Sequence, residues 1–410
     1  MATIGETAPT LVFSHFGLYC SDFPAMRDFY TRVFGFAVSD TGQRTNGTSM
    51  AFMTRRAFEH HQLVLASNHP EGAPSTINQL GFTTTDLVEL RRIKGLLERE
   101  AGVSDLVVVD HGISWTLYFL DPCANRVAVS VDTGWFAPQP ACWPLDLTLG
   151  DAEIAEITER RCRAAKGGKT RADWRRGLEA RLRADGTLIS QATPEIEAAA
   201  SPDAKGVFRF EPGEADPPAE PYPKVAMASI GLYVTDLARL ETFYVGVLGY
   251  AVTGKGRMEA IGSVPATDYV YLTRDPDQFA QIVLCAGRAP STPSNVQQLT
   301  FRLPSLDELR RVDKALRAAD GVTKVVNICH GNSFSIYCED PEGNRLEISK
   351  ESEWYIPAPC SWPLDLSLSD DEILAHTEAK CRDTEGFMMR ADWKARARAQ
   401  LISSGRLEAE

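Results

Sequence analysis

The chain has no basic block, no long apolar run and no paired-cysteine motif, and each absence removes a class of function. It carries 43 Lys and Arg against 55 Asp and Glu, a net charge of −12. With no compensating cluster of cations, a nucleic-acid or anionic-membrane surface is not expected. No apolar stretch approaches the ~20 residues that a membrane span needs. Residues 1–9, M-A-T-I-G-E-T-A-P, have neither a charged n-region nor an apolar h-region, so no secretory signal is expected. Nine cysteines, an odd number without any C-x-x-C, fit reduced thiols in a cytoplasmic protein. Histidine is scarce, seven in 410 residues, so the placement of each is informative. What remains, 44% hydrophobic and 24% charged, is globular composition with enough chain for two or three domains.

The chain repeats itself. Ser14-His15-Phe16-Gly17-Leu18-Tyr19-Cys20-Ser21-Asp22 returns as Ala228-Ser229-Ile230-Gly231-Leu232-Tyr233-Val234-Thr235-Asp236. Phe29-Tyr30 with Phe34-Gly35-Phe36 returns as Phe243-Tyr244 with Leu248-Gly249-Tyr250, and Asp121-Pro122-Cys123-Ala124-Asn125-Arg126 as Asp340-Pro341-Glu342-Gly343-Asn344-Arg345. The tails repeat as well: W-P-L-D-L at Trp143 and Trp362, R-A-D-W at Arg171 and Arg390. The duplicated unit is a globular core plus a trailing arm. The expected division is 1–135 for the first core, 136–224 for strap, helical arm and linker, 225–352 for the second core, and 353–410 for the closing strap and arm.

Alternation and helical spacing read each core as strand, helix and further strands, done twice. In the first core these are Val12–Cys20, helical Pro24–Val33, Ser49–Thr54 and Gln62–Ala66, then Asn78–Thr83, helical Leu87–Glu100, Leu106–Val109, Ser114–Leu120 and Arg126–Val131. The arms read as helices over Asp151–Arg163, Arg171–Ala184, Asp370–Arg382 and Arg390–Leu401. Gln191–Pro223, rich in Ala, Pro, Glu and Asp, reads as a linker. The aromatic, proline-rich segments from Trp135 and Trp354 read as straps across a domain surface, with a lid as the alternative.

These motifs, H-x-G-L-Y-x-x-D, F-Y-x-x-x-x-G-[FY] and D-P-x-x-N-R, resemble the vicinal oxygen chelate superfamily, which includes glyoxalase I, fosfomycin-resistance proteins and extradiol ring-cleaving dioxygenases. The resemblance covers both cores. It implies an α+β fold of tandem cores, each of two βαβββ modules forming cup-shaped sheets, with helical arms added. It also implies metal ligands from three inward strand positions per cup. Paired within cores, the modules give His15, Gln79 and Ala128 in one cup and Ser229, Gln298 and Glu347 in the other, two poor sites. Paired across cores, they give His15, Gln298 and Glu347 in one cup and Ser229, Gln79 and Ala128 in the other, one good site and one inert. Glu347 stands out on its own, because a carboxylate inside a strand is unfavourable unless paired.

Glu59-His60-His61-Gln62-Leu63 resembles the H-H-x-L strand that carries the acid–base histidine of extradiol enzymes, with His61 ahead of His60 for that role. Tyr337 and His330 fall where the family places groups that touch substrate; Tyr118 and His111 are their first-core counterparts. The structural alternatives are a satisfied core histidine at His15, a Glu347–Arg345 ion pair, a solvent-exposed His60-His61, and packing roles for the repeated tyrosines and glutamines. His69 and His376 receive no role. The resulting expectation is a metal-dependent ring-cleaving dioxygenase of a catechol or hydroquinone with one composite site between the two cores, using O₂ and Fe(II), with Mn, Zn or Ni as other metals. The alternatives are a non-oxidative lyase or isomerase of the glyoxalase type, and a metal-free small-molecule binder. Self-association stays open.

Overall fold

The computed structural model describes residues 9–184, 187 and 206–408. Its first module is β1 (Val12–Tyr19), α1 (Phe23–Asp28), β2 (Ala37–Gln43), β3 (Ser49–Thr54) and β4 (Leu63–Ala66). The second is β5 (Ile77–Thr84), α2 (Leu87–Leu97), β6 (Ser104–Asp110), β7 (Ser114–Leu120) and β8 (Arg126–Asp132), followed by the first arm: β9 (Trp135–Phe136), β10 (Trp143–Pro144), α3 (Asp151–Ala164), β11 (Lys169–Thr170) and α4 (Arg171–Ala184). The third module is β12 (Val225–Val234), α5 (Leu237–Gly246), β13 (Ala251–Met258), β14 (Thr267–Thr273) and β15 (Ile282–Ala286). The fourth is β16 (Val296–Arg302), α6 (Leu306–Ala318), β17 (Thr323–Cys329), β18 (Ser333–Glu339) and β19 (Arg345–Glu351). The second arm is β20 (Trp354–Tyr355), β21 (Trp362–Pro363), α7 (Asp370–Arg382), β22 (Met388–Met389) and α8 (Arg390–Ser403). The fold is α+β.

Local chemistry explains the elements. Asp86 accepts the Glu89 amide at the start of α2, Asp236 the Arg239 amide at α5 and Ser305 the Glu308 amide at α6, so each helix begins on a side-chain cap. Along α6, Leu306, Leu309, Val312 and Leu316 are the buried residues, a helical stripe facing the sheet. In β19 Leu346 and Ile348 enter the core while Glu347 turns to the opposite face. The repeated aspartate-proline turns are built on their aspartates: Asp121 accepts the amides of Cys123 and Asn125, and Asp340 those of Glu342 and Asn344. The Tyr30 and Tyr244 hydroxyls donate to these same carboxylates, which ties the F-Y motif to the turn. Burial pushes both carboxyls up to about 6. The turn takes left-handed backbone at Gly343 (φ 80°) and, at the cost of Cβ strain, at Ala124 (φ 57°).

One nine-stranded sheet runs β2-β3-β4-β1-β16-β19-β18-β17-β21 and the other β10-β6-β7-β8-β5-β12-β15-β14-β13. Module one therefore pairs with module four, and module two with module three. The seams are antiparallel, with Phe16 opposite Leu299 and Gly17 opposite Gln298 in one, and Ile230 opposite Leu80 and Gly231 opposite Gln79 in the other. The glycine of H-x-G-L-Y sits at this close approach: a Cβ at Gly17 would stand 2.1 Å from the Gln297 side chain. Each sheet thus draws strands from both residues 1–135 and residues 225–352.

Two details depart from the sequence expectation. Pro24–Val33 is an α-helix only to Asp28 and then widens into a π turn over Phe29–Val33. Of the expected linker, residues 191–205 lie outside the described residues, and 206–223 is packed chain. Phe208 meets the Trp393 ring, and the Val207 and Phe208 amides donate to Gln400. All nine cysteines are free thiols, and among the described residues no helix is long and apolar enough to cross a membrane.

Candidate metal centre and its counterpart cup

The seam between β1 and β16 brings together residues separated by more than 280 positions. Gln298 Nε2 lies 3.0 Å from His15 Nε2 and 2.8 Å from Glu347 Oε2, and His15 Nε2 lies 3.7 Å from the same carboxylate oxygen. All three side chains are buried. Glu347 is held on both oxygens: Ser335 donates to Oε1 at 2.7 Å and Thr300 to Oε2 at 2.9 Å. Its one ion pair among the described residues is with His15, because Arg345 lies 4.1 Å above the Tyr337 ring instead.

His61 completes the cluster. Its Nε2 lies 2.9 Å from His15 Nε2, its Nδ1 2.8 Å from His60 Nδ1, and His60 Nε2 lies 2.9 Å from Asp40 Oδ2. Asp40 also accepts from the Tyr355 hydroxyl and the Ala358 amide, both from the second strap, and pairs with Arg209. The relay thus runs from an aspartate on β2 to the cluster through two adjacent imidazoles, and the pair is not a solvent-exposed loop edge. On the opposite side, Tyr337 stands across the strand pair from Glu347, and its hydroxyl meets His330 Nε2 at 3.0 Å. The Cys360 carbonyl fixes His330 through Nδ1 at 2.6 Å.

Burial by itself would raise the Glu347 carboxyl. The hydrogen bond and charge of His15, the charge of His330 and the Ser335 hydroxyl reverse this and hold it well below the usual carboxylate range. Asp40 behaves likewise, burial being outweighed by His60, the Ala358 amide and Tyr355. His61 is pushed well below the ordinary imidazole value by burial first and by the neighbouring His15 and His60 second, which favours its neutral form. Burial and then the Glu347 charge drive the Tyr337 phenol well up, keeping it protonated.

The donor set fits a divalent ion. Ligands about 2.0–2.2 Å from an ion lie roughly 3 Å from each other at right angles, and the separations here are 2.8, 3.0 and 3.7 Å. Turning the Gln298 amide over presents its oxygen in place of its nitrogen. Among the described residues no group of three or more His, Cys, Asp and Glu is arranged to hold an ion, so an ion held here would need Gln298 as its third donor.

The other cup has no such set. Gln79, Ser229 and Ala128 line a cavity of ≈130 Å³, as do His111 and Tyr118. Tyr118 and His111 bond as their counterparts do, at 3.0 Å. Each arm lies over the cup of its own sheet. Trp393 packs near Tyr355 and His60 at the metal-type cup, and Trp174 near Phe136 and Phe279 at the other. The segments read as straps therefore also furnish cup residues. Asp40, Tyr355, Thr300 and Ser335 escaped the sequence reading. Asp40 sits on β2, a strand whose polar run S-D-T-G-Q carries no clear alternation, and Tyr355 on a strap whose destination only the fold reveals. Thr300 and Ser335 lie two and twelve residues from ligand positions, and period-two spacing along β16 could have found the first.

The model of the Glyoxalase/Bleomycin resistance protein/Dioxygenase superfamily matches residues 12–129 and 226–348, more than half of the chain. The chain belongs to this superfamily, and the two matched stretches are its tandem duplication. A curated relative, biphenyl-2,3-diol 1,2-dioxygenase 3 of Rhodococcus globerulus, is 32% identical over 125 residues, which are 29% of this chain and 62% of that enzyme, less than two thirds of its length. Among solved structures, glyoxalase I from Zea mays is 12% identical, with 83% of this chain and 92% of that one covered at a TM-score of 0.46. The 2,2',3-trihydroxybiphenyl 1,2-dioxygenase of Sphingomonas wittichii is 15% identical, with 88% and 99% covered at a TM-score of 0.28.

Proposed function

We propose that the protein is a metal-dependent enzyme of the extradiol dioxygenase type, cleaving a catechol or hydroquinone ring with O₂ at the cup formed by modules one and four. The observation that carries this is the placement of the His61 imidazole, whose Nε2 lies 2.9 Å from His15 Nε2 and which is backed through His60 by Asp40. His15, Gln298 and Glu347 would hold a divalent ion, Fe(II) on this reading, which when bound supplies Lewis acidity and oxygen binding. Within this chain, His61 takes the phenol proton of the entering substrate at Nε2 and later returns it. Asp40 orients His60, and His60 in turn fixes the tautomer of His61. The Tyr337 hydroxyl, paired with His330, stands across the strand pair from Glu347, where a substrate oxygen can meet it. The partial match to a biphenyl-diol dioxygenase supports the substrate class.

The test is oxygen uptake by Fe(II)-reconstituted protein across a panel of catechols and hydroquinones, with ring-opened product followed by its colour. Uptake with one such substrate is expected. Its absence across the panel, with metal bound, would turn the reading to a non-oxidative lyase or isomerase. The amide donor at Gln298 favours that second reading, since it is a weaker donor than the second imidazole typical of iron oxygenases.

A further inference from the structure

We propose that the second cup, between modules two and three, is a metal-free binding site for a one-ring aromatic carboxylate. The cavity there measures ≈130 Å³, close to the roughly 150 Å³ that accommodates a benzene ring in a protein interior. Its walls include Tyr118, Tyr269, Tyr271 and Phe279, whose faces and edges suit a planar ring.

The cavity also holds a cation without a counter-ion. Arg126 lines it and is 6% exposed, yet no carboxylate lies within ion-pair distance of it among the described residues. Its guanidinium rests 3.7 Å over the Tyr118 ring, and its Nη2 has no hydrogen-bond acceptor. The other charges on the cavity wall cancel, since Arg171 donates to Asp132 at 2.8 Å. His111 adds none: its Nδ1 donates to the Ala141 carbonyl, and its Nε2 accepts from Tyr118. Gln278 Oε1, a second buried group without a partner, lines the same space. A buried, unpaired guanidinium is costly, and a carboxylate matches its fork in a bidentate fashion.

The counterpart cup differs at one position close to this charge. There Glu347 lies two residues beyond Arg345 on the same strand face. Here the equivalent of Glu347 is Ala128, two residues beyond Arg126. With alanine at that position no carboxylate stands beside Arg126, and the space left there is what a ligand carboxylate would fill.

The inference does not depend on the metal-centre reading, and its test is run without metal. Chelator-treated full-length protein is titrated calorimetrically with benzoate and with its neutral isostere benzamide. One benzoate per chain is expected, with a dissociation constant of about 1 mM or tighter, and benzamide at least about tenfold weaker. Arg126→Gln should weaken benzoate by about tenfold or more, Ala128→Leu should abolish binding by filling the cavity, and Glu347→Gln should leave it unchanged. Thermal melts establish that each variant is folded. Should Arg126→Gln not fold, Ala128→Leu and the benzamide comparison decide. No benzoate binding by the wild type, equal affinity for benzamide, or full binding by folded Ala128→Leu would overturn the proposal.

Discussion

Set side by side, the two cups share one strand order and differ in the side chains that line them. Equivalent places hold His15 and Ser229, Asp40 and Gly254, His60 and Phe279, His61 and Ala280, Thr300 and Gly81, Glu347 and Ala128, Tyr355 and Phe136. The strand registers confirm the equivalence, with Asp40 opposite Phe52 just as Gly254 is opposite Tyr271. The exchanges form a set. Where the histidine relay is lost, its aspartate and the tyrosine that anchors that aspartate are lost too, and Phe136, Trp174 and Phe279 fill the space with stacked and tilted rings. A buried polar network is stable only when every member is satisfied, so losing one member favours losing all. Both cups keep the His–Tyr pair and the arginine over the tyrosine face.

The contrast breaks most directly at the ligand positions. Metal analysis of purified protein should find close to one divalent ion per chain, lost together with activity in Glu347→Ala and in His15→Ala. Gln79→Ala and Ser229→Ala should keep both, and full occupancy in Glu347→Ala would mean that the ion sits elsewhere. A smaller effect is expected at His61. Its replacement by alanine should slow the chemical step by roughly a hundredfold while substrate binding persists, as read by single-turnover rates beside a binding titration. Unchanged turnover in the double variant His60→Ala/His61→Ala would remove the acid–base role.

The arms offer a matched pair. Trp393→Ala and Trp174→Ala each empty a buried site and should each cost about 3–5 kcal/mol in urea unfolding. Only the first should also slow turnover, since only Trp393 packs beside His60; equal loss of turnover from both would remove the distinction between the cups.

The smallest effect is in acid. The folded pKa of Asp40 lies below its unfolded value of about 4. As pH falls, the unfolded chain therefore binds this proton first, and the stability contributed above about pH 4 is lost as pH drops through the folded value. Asp40→Asn should make the fall in urea midpoint between pH 5 and pH 3 shallower without abolishing it, because Glu347 titrates in the same direction. Identical slopes in the two proteins would show that Asp40 does not carry that charge interaction.

Much of this was legible from residues alone. The repeat, the α+β modules and the H-x-G-L-Y and D-P-x-x-N-R anchors follow from local spacing, turn chemistry and strand alternation, which act over a few residues. The ligand-type residues could be named for the same reason, since His15, Gln298 and Glu347 each stand on the inward face of a strand. The sequence left open which strands meet. β1 offers the same alternation to β5 as to β16, so no local pattern chooses between pairing within and across the halves. That choice rests on packing between segments some 280 residues apart, and it alone unites the three donors. The same holds for Asp40, whose partners come from β4's entry and from a strap more than 300 residues away. It holds too for the second cup, where the absence of ligands read as inertness. A cavity is a property of assembled walls, and an arginine's lack of a counter-ion emerges only when every neighbour is in place.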